Sequence, residues 1–396
     1  MSPTLISASR VILPSDAKTN DAETSAVLEP GWVETDGDRI TAAGPGLPPR
    51  KPAADFPGAT LAPGFVDAHI HGGGGFSFND ADPAAAAVRI ADVHRGHGTT
   101  TLMASLVTAP LTQLEKAVAA LATLVEEGVL AGIHLEGPWL SPDHRGAHTE
   151  DLLLAPEPAA VDRLMLAGRG TVRMVTIAPE LEGGLAAIRQ ITGYGAVAAI
   201  GHTGAGYDLA RQAIAAGATA GTHVFNAMRP LHHREPGPAL ALLEDRAVFA
   251  EVIADGVHLH PSLVRFIAAS PARAVFVTDA MAAACAQEGR YRLGGLDVRV
   301  AGGEARLVSD GTIAGSILTL DAAVRHAVYD AGIPLADAVR AASQNPADML
   351  GLPDVGRIEA GRRADLVVLT SELEVAAVMK AGQWVVPAWR PDRMPR

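Results

Sequence analysis

The 396-residue sequence has a single cysteine, few aromatic residues and no long hydrophobic run. Cys285 alone excludes an intrachain disulfide; we expect it to be inert core filler, and it favours a reducing compartment. No stretch reaches the roughly 18 apolar residues that a membrane-spanning helix needs, and the first residues lack a basic segment followed by an apolar one. These features predict a cytoplasmic protein that is neither secreted by a standard signal nor anchored in a membrane.

Basic residues are also in short supply. Lys and Arg number 32 against 44 Asp and Glu, which gives a formal net charge of −12. This balance argues against a nucleic-acid partner, which requires a clustered basic face. It does not argue against an anionic small-molecule substrate. Surface charges are screened over roughly 8 Å, so a few cationic side chains inside a pocket can outweigh the negative charge of the whole protein there.

What the chain does contain is a regular alternation in its middle part. Between residues 60 and 346, apolar runs alternate with helical stretches about eight times, as expected of buried parallel strands joined by helices. No glycine-rich dinucleotide motif follows the first strand, so we predict a (β/α)8 barrel rather than a doubly wound sheet. Segments 1–59 and 347–396 both show strands and turns, and we predict that they join into one small β-sandwich domain.

The segment from Val66 to Gly75 has a distinctive composition. His69 and His71 stand two residues apart in an extended stretch, so their side chains point to the same side. Four glycines at 72–75 follow and allow a sharp turn close to a ligand. The pair therefore predicts half of a metal site, although two structural histidines near a strand end would fit the same pattern.

Polar residues able to bind metal recur at the ends of the predicted strands. They are His69, His71, Glu136, His202, His223 and Asp279. In a barrel the carboxyl ends of the strands form a single face, where active sites are built. Any one of these residues has a structural explanation, such as an acid that caps a helix. Six together predict one site.

Eight segments carry a family resemblance. In chain order they are PGFVDAHIHGGGG, HLEGPWL, GHTGA, THVFNAM, REPG, ADGVH, VTDAM and IAGS. They resemble the amidohydrolase superfamily, and specifically the N-acetylglucosamine-6-phosphate deacetylases; GRRADLVVL near the end is similar to the closing segment of many amidohydrolases. The resemblance spans almost the whole chain. It implies metal-dependent hydrolysis of N-acetyl-D-glucosamine 6-phosphate to D-glucosamine 6-phosphate and acetate. It also implies a homodimer in which the phosphate-site residues lie near the interface, so that the two subunits can share their sites.

The resemblance also implies one or two divalent ions. The ligands of the first are Glu136, His202 and His223, and those of the second are His69 and His71 with Glu136 and Asp279. Imidazole and carboxylate suit several metals. Zinc is the first expectation, with Fe²⁺, Mn²⁺ and Co²⁺ as alternatives.

Further roles follow from the same resemblance. Asp279 transfers the proton of the attacking water, and His148 polarises the acetamide carbonyl unless it is an exposed loop histidine. Substrate phosphate contacts are implied for Arg234, for His258 and for the backbone amides of Asn226 and Ala227. The alternatives are a surface salt bridge for the arginine and a capping role for His258. His134, two residues before Glu136, is a candidate for supporting the site.

Competing functions remain at this point. The first is another amidohydrolase reaction, on N-acetylgalactosamine 6-phosphate, an N-acyl amino acid, a cyclic amide or a base. Relatives with several of these activities carry a lysine near the position of Glu136, which this chain does not. A non-catalytic scaffold is the second, and the intact set of metal-capable residues argues against it.

Overall fold

A computed structural model describes residues 3–14 and 27–386. The parts of the predicted end segments at 1–2, 15–26 and 387–396 lie outside the described residues. The strands, numbered in chain order, are β1 Thr4–Ile12, β2 Val27–Leu28, β3 Gly31–Asp36, β4 Arg39–Pro45, β5 Ala54–Pro63, β6 Phe65–Asp67, β7 Gly72–Gly73, β8 Phe76–Ser77, β9 Thr99–Val107, β10 Gly132–Glu136, β11 Val172–Ile177, β12 Val197–Ile200, β13 Ala220–Gly221, β14 Phe249–Val252, β15 Arg273–Phe276, β16 Gly289–Leu293, β17 Leu296–Ala301, β18 Glu304–Leu307, β19 Leu366–Leu369, β20 Val375–Lys380 and β21 Gln383–Val386.

Helices separate most of the strands in the middle of the chain. They are α1 Pro83–Arg95, α2 Leu111–Glu126, α3 Pro158–Ala167, α4 Gly184–Gly193, α5 Tyr207–Ala215, α6 Gly237–Leu243, α7 Pro261–Ala268, α8 Leu320–Tyr329, α9 Leu335–Ala342 and α10 Gln344–Met349. Two 3-10 turns, Pro142–His144 and Glu150–Leu152, follow β10. Among the helices of residues 3–14 and 27–386, none combines the length and the apolar character needed to cross a membrane.

Two compact units make up the fold, and the first contains both ends of the chain. It comprises the described residues of Met1–Asp67, His94–Thr101 and Leu320–Arg396. Its sheet has the order β21-β20-β19-β5-β1-β3-β4, with β2 added to β1. The two end segments are joined in this sheet by the antiparallel pair of β5 and β19, in which Leu61 lies opposite Val368. The prediction that the two ends form one β domain is confirmed.

The central strands form the predicted parallel barrel. The sheet order β6-β9-β10-β11-β12-β13-β14-β15 is also the chain order, and α1 to α7 fill the connections between them. Every residue of β9 and β10 is buried, as expected of parallel strands that are covered on both faces. The predicted (β/α)8 barrel is therefore confirmed. Its predicted limits of 60 and 346 stay a prediction.

The second unit comprises Ala68–Val93 and Leu102–Thr319. Helix α2 shows why its helices form where they do, because Leu114, Val118 and Leu121 recur at helical spacing and bury one face. Within this unit the chain after β15 also bonds to the chain after β6: the amide of Asp279 donates to the His69 carbonyl over 2.8 Å. These bonds close the ring at its carboxyl end and bring residues 69 and 279 together.

A small antiparallel sheet in the second unit was not predicted. It has the order β16-β17-β18 and lies in the sequence between the last barrel strand and α8. Val298 and Val300 of β17 are buried and pack in a cluster with Met281 and Leu293. The inward valines alternate with exposed residues, as in a sheet with one solvated face.

Candidate active site

Six predicted site residues meet at the carboxyl end of the barrel. Glu136 is the last residue of β10, while the other five come two to four residues after β6, β12, β13 and β15. All are buried, with exposed fractions from 0% for His69 to 7% for Asp279. Residues up to 210 positions apart in sequence thus form one cluster, as the barrel argument requires.

The histidine pair converges with two carboxylates. The Nε2 atoms of His69 and His71 are 3.0 Å apart. His71 Nε2 lies 3.1 Å from both Glu136 Oε2 and Asp279 Oδ1. One donor atom from each of these four residues lies within 4.8 Å of the others, a spacing that fits a single small cation.

A second group shares the same glutamate. His202 Nε2 and His223 Nε2 are 3.2 and 3.1 Å from Glu136 Oε1, and 3.1 Å from each other. One oxygen of Glu136 thus faces this pair and the other faces His71. The carboxylate is placed between two groups of imidazole nitrogens, a geometry that permits one or two ions.

Hydrogen bonds at Nδ1 fix the tautomers of three of these histidines. His71 Nδ1 donates to the Ser105 carbonyl over 3.1 Å, and His202 Nδ1 donates to the His144 carbonyl over 2.9 Å. His69 Nδ1 donates to a carboxylate oxygen of Glu251, 3.0 Å away. Since these partners only accept, Nε2 is left with a lone pair that points into the cluster, as metal ligation requires.

His148 has the opposite arrangement. Its Nδ1 accepts from the Thr108 amide over 3.4 Å and lies 2.8 Å from the Thr108 hydroxyl. The ring proton is therefore on Nε2, which lies 3.4 Å from Glu136 Oε2. Burial lowers the pKa of His148 to about 4, more than Glu136 raises it, so the ring is neutral at pH 7. A neutral Nε2–H at this position is a hydrogen-bond donor and not a metal ligand.

The charges of the cluster call for a cation. Burial would raise the pKa of Glu136, yet the neighbouring histidines, His69 foremost, hold it well below its usual value. Burial likewise lowers the pKa of His69, but the carboxylates of Glu136, Glu251 and Asp279 raise it well above the ordinary value. Three buried carboxylates share this space, and no lysine or arginine is among the described residues that line the cavity. The donor set fits a divalent metal.

Strained backbone holds several of these side chains in place. His202 and His223 have φ values of 47° and 27°, in the left-handed region that residues other than Gly, Asn and Asp rarely adopt, and Asp279 has a φ of 48° in the same region. A residue such as either histidine costs about 1–3 kcal/mol in this conformation and persists where the surroundings determine it. Their concentration here marks the carboxyl face as the functional end of the barrel.

A cavity of about 390 Å³ opens over the cluster. Asn226, Ala227 and His258, all predicted to touch substrate, line it. His258 is held by Asp255, whose Oδ2 accepts from Nδ1 over 2.7 Å. The predicted phosphate residue Arg234 is not among the described lining residues; it is exposed, and its Nη1 donates to His233 Nε2 over 2.7 Å.

The comparisons with known proteins agree with this site. The amidohydrolase family model matches residues 60–385. The chain belongs to the amidohydrolase family. It is 39% identical over 354 residues to the human N-acetylglucosamine-6-phosphate deacetylase, covering 85% of each protein. It is 37% identical over 367 residues to the N-acetylgalactosamine-6-phosphate deacetylase of Escherichia coli O157:H7, covering 90% of this chain and 96% of that one.

A solved structure gives a close match to this amidohydrolase. It is a variant of the N-acetyl-D-glucosamine-6-phosphate deacetylase of Mycobacterium smegmatis, in complex with N-acetyl-D-glucosamine-6-phosphate. The identity is 48%, the TM-score is 0.92, and the match covers 98% of this chain and 100% of the other.

One residue of the amidohydrolase site was missed, and two further predictions can be compared with the structure. Glu251 was not predicted, although a lone acid inside the apolar strand β14 is a detectable signal. His134 bonds to the hydroxyls of Ser105 and Thr176 and packs edge-on against His69, with ring centres 4.5 Å apart, which fits the supporting role suggested for it. The expectation that Cys285 is core filler is wrong: its side chain is exposed, in a turn with φ of 57°.

Proposed function

We propose that the protein hydrolyses the acetamide of N-acetyl-D-glucosamine 6-phosphate to D-glucosamine 6-phosphate and acetate. The observation that carries this proposal is the convergence of Glu136, Asp279 and the Nε2 atoms of four histidines at the base of a cavity, beside the neutral donor His148. The human and mycobacterial relatives named above support the choice of substrate.

The metal centre is assigned to the buried cluster. Glu136, His202 and His223 would hold one ion, and His69 and His71 would hold a second together with Glu136 and Asp279. A bound divalent ion lowers the pKa of a water from 15.7 to about 7 and polarises a carbonyl. Zinc is our first choice because its ligands in proteins are imidazole and carboxylate as well as thiolate.

Asp279 is the proposed proton carrier. Burial raises the pKa of Asp279, but the positive charge of His69 and His71 in the metal-free cluster more than compensates and lowers it to about 2. A divalent cation held by the same histidines would also favour the ionised carboxylate, which is the form that can accept a proton from the attacking water. Returning that proton to the amide nitrogen makes the amine a competent leaving group.

His148 is the proposed partner of the carbonyl oxygen. Its Nε2–H faces the cluster and is fixed by the bonds of Nδ1 to Thr108. A fixed donor strengthens its hydrogen bond as negative charge develops on the oxygen, and this stabilises the transition state more than the ground state.

The phosphate end of the substrate is assigned to a second set of groups. His258, Asn226 and Ala227 lie in the cavity wall. The backbone amide of Asn226 already donates to the His223 carbonyl over 2.9 Å, so the amide of Ala227 is the better candidate of the two for a phosphate contact. Arg234 has the bidentate fork that suits phosphate, and its exposed position outside the cavity of its own chain is compatible with service to a neighbouring subunit. A homodimer with shared sites and a cytoplasmic location stay predictions.

The galacto isomer is a second candidate substrate. It is favoured by the 37% identity to the Escherichia coli N-acetylgalactosamine-6-phosphate deacetylase. The test of both is acetate release from the two 6-phosphate sugars, unphosphorylated N-acetylglucosamine and an N-acetyl amino acid, with metal analysis of the same preparation. Acetate release from none of them, in metal-loaded protein, would support the scaffold hypothesis and contradict ours.

Removing the histidine pair is expected to change the metal count. In the His69→Ala/His71→Ala double variant, two of the four donors of the second group are lost while His202 and His223 are untouched. We expect a chain that bound two ions to bind one. Elemental analysis after dialysis measures this, and unchanged metal content with unchanged turnover would make the pair structural.

Asp255→Asn is expected to shift the pH dependence of substrate binding. Burial lowers the pKa of His258, but Asp255 raises it above its ordinary 6.5, with Asp279 also raising it and Arg306 lowering it. His258 therefore keeps the positive charge proposed to bind phosphate until the pH rises through this raised pKa. In Asp255→Asn the pKa of His258 falls, so the rise in KM with pH should begin at a lower pH than in the wild type.

The measurement is KM for the 6-phosphate sugar above about pH 7, where the phosphate itself is fully ionised. KM for the unphosphorylated sugar is the control and should show no such shift. Identical KM profiles for the wild-type enzyme and the variant would remove His258 from phosphate binding.

A further inference from the structure

Glu251 is a buried acid with no role in the proposal above. It is the third residue of β14, its exposed fraction is 0%, and its strand neighbours Ala250 and Val252 are equally buried. Burying a carboxylate costs several kcal/mol unless it is paired and hydrogen-bonded. Such a residue in the interior of a barrel therefore needs a function or a strong partner.

Its partners are both parts of the candidate metal cluster. Oε2 lies 3.0 Å from His69 Nδ1 and accepts from the backbone amide of His223 over 3.2 Å. In the described part of the chain His69 is the only ion-pair partner of Glu251, and Oε1 has no hydrogen-bond partner. One oxygen atom thus connects a residue that follows β6 to one that follows β13.

The chemistry of this contact differs from that at the other ligands. His71 and His202 donate Nδ1–H to neutral backbone carbonyls, whereas His69 donates to a carboxylate. A carboxylate fixes the same tautomer and, because it is charged, also makes the imidazole a better electron donor at Nε2. The bond to the His223 amide holds the strained backbone of that residue, with φ of 27°, against the same group.

We infer that Glu251 is a positioning residue of the metal centre: it orients and strengthens His69 as a ligand and connects it to the His223 side. The inference rests on the proposed metal-dependent function. If Glu251 had only a structural role, removing its charge would lower the stability of the fold and would not selectively lower the affinity of one of the two metal sites. The two roles separate in a zinc-binding experiment.

The experiment titrates metal-free full-length protein with Zn²⁺ in chelator buffers and counts bound zinc by elemental analysis. Glu251→Gln keeps the shape and one acceptor oxygen but removes the charge. We expect affinity for one zinc ion to fall about 10- to 100-fold, the range for removal of an outer partner of a ligand. The ion assigned to Glu136, His202 and His223 should change much less.

Two further variants bracket this result. Glu251→Leu removes acceptor and charge together, so its loss should exceed that of Glu251→Gln. Glu251→Asp keeps the charge but holds it one methylene further from His69. If Glu251→Asp binds zinc more tightly than Glu251→Leu, the conservative variant has partly rescued the site.

Asp365→Asn is the matched control, because this aspartate of the other unit is also buried, with 2% exposed, and is paired with Arg363. Its loss should lower thermal stability without changing zinc binding.

The decisive step is a double-mutant cycle with His69→Ala. If Glu251 acts through His69, adding Glu251→Gln to His69→Ala should change zinc affinity less than twofold. An equal loss in both backgrounds, or wild-type zinc affinity in Glu251→Gln, overturns the inference. The inference is also overturned if His69→Ala leaves zinc affinity at the wild-type value. A wild-type protein that binds no zinc and releases no acetate would instead overturn the proposed function.

Discussion

Asp279→Asn is expected to lower kcat by roughly 10²- to 10⁴-fold, the contribution that positioned proton transfer commonly makes. The amide of the variant has neither the charge nor the basicity to take a proton from water. Its shape is nearly that of the acid, so substrate binding should change less than turnover. Single-turnover acetate release at saturating substrate measures the chemical step directly.

The fold is expected to survive this substitution. Asp279 has φ of 48°, and Asn is among the few side chains that tolerate this region well. The backbone bonds of residue 279 to the His69 carbonyl and from the Ser316 amide do not involve the side chain. The ligands Glu136, His202 and His223 are also unchanged.

Metal content and thermal stability are therefore the controls for this variant. At least one ion per chain should remain, with a melting temperature close to that of the wild type. Asp365→Asn, a buried carboxylate of the other unit, shows what loss of a buried acid does without a change in chemistry. Near-normal turnover in Asp279→Asn would remove Asp279 from proton transfer.

The sequence carried most of the information on how the barrel places its site. Continuous apolar strands such as β12 predict burial on both faces, and helical spacing in α2 predicts the crossovers. Because parallel strands end on one face, polar residues at their ends had to converge. The two-residue spacing of His69 and His71 predicted their common direction, and their Nε2 atoms are 3.0 Å apart.

Other features depend on distances that periodicity does not encode. Glu251 lies inside a strand, whereas the predicted site residues lie at or after strand ends, so the pattern of strand ends does not include it. The tautomer of His148 is set by Thr108, 40 positions earlier. The sheet of β16, β17 and β18 is built from short polar strands around glycine turns, and such strands have weak patterns of their own.

Arg234 is the predicted site residue that its own chain does not bring to the cavity. It lies in an exposed loop with His233, two residues before Pro236, which precedes α6. An exposed guanidinium in this position either contacts bulk solvent or contributes to the site of a neighbouring subunit. The predicted homodimer with phosphate-site residues near the interface would give Arg234 the second role.

Arg234→Ala is accordingly expected to raise KM for the 6-phosphate sugar by roughly 10- to 100-fold, because a hydrogen-bonded contact to a charged group contributes about 1.5–3 kcal/mol. The unphosphorylated sugar, which lacks the phosphate, should be handled about as poorly as by the wild type. Some loss of kcat is also expected, since binding energy from a remote group is used in the transition state. An equal penalty on both sugars would contradict phosphate recognition by Arg234.

Mixing two defective chains shows which subunit supplies the arginine. In a mixed dimer of Arg234→Ala and Asp279→Asn chains, a site with shared residues would combine the intact Asp279 of the first chain with the intact Arg234 of the second. With random pairing in a two-fold dimer, half of the dimers are mixed and each has one complete site, so activity at low substrate should recover to about a quarter of wild type. If each chain supplies its own arginine, no complete site forms, and the mixture should be no more active than the average of its parents.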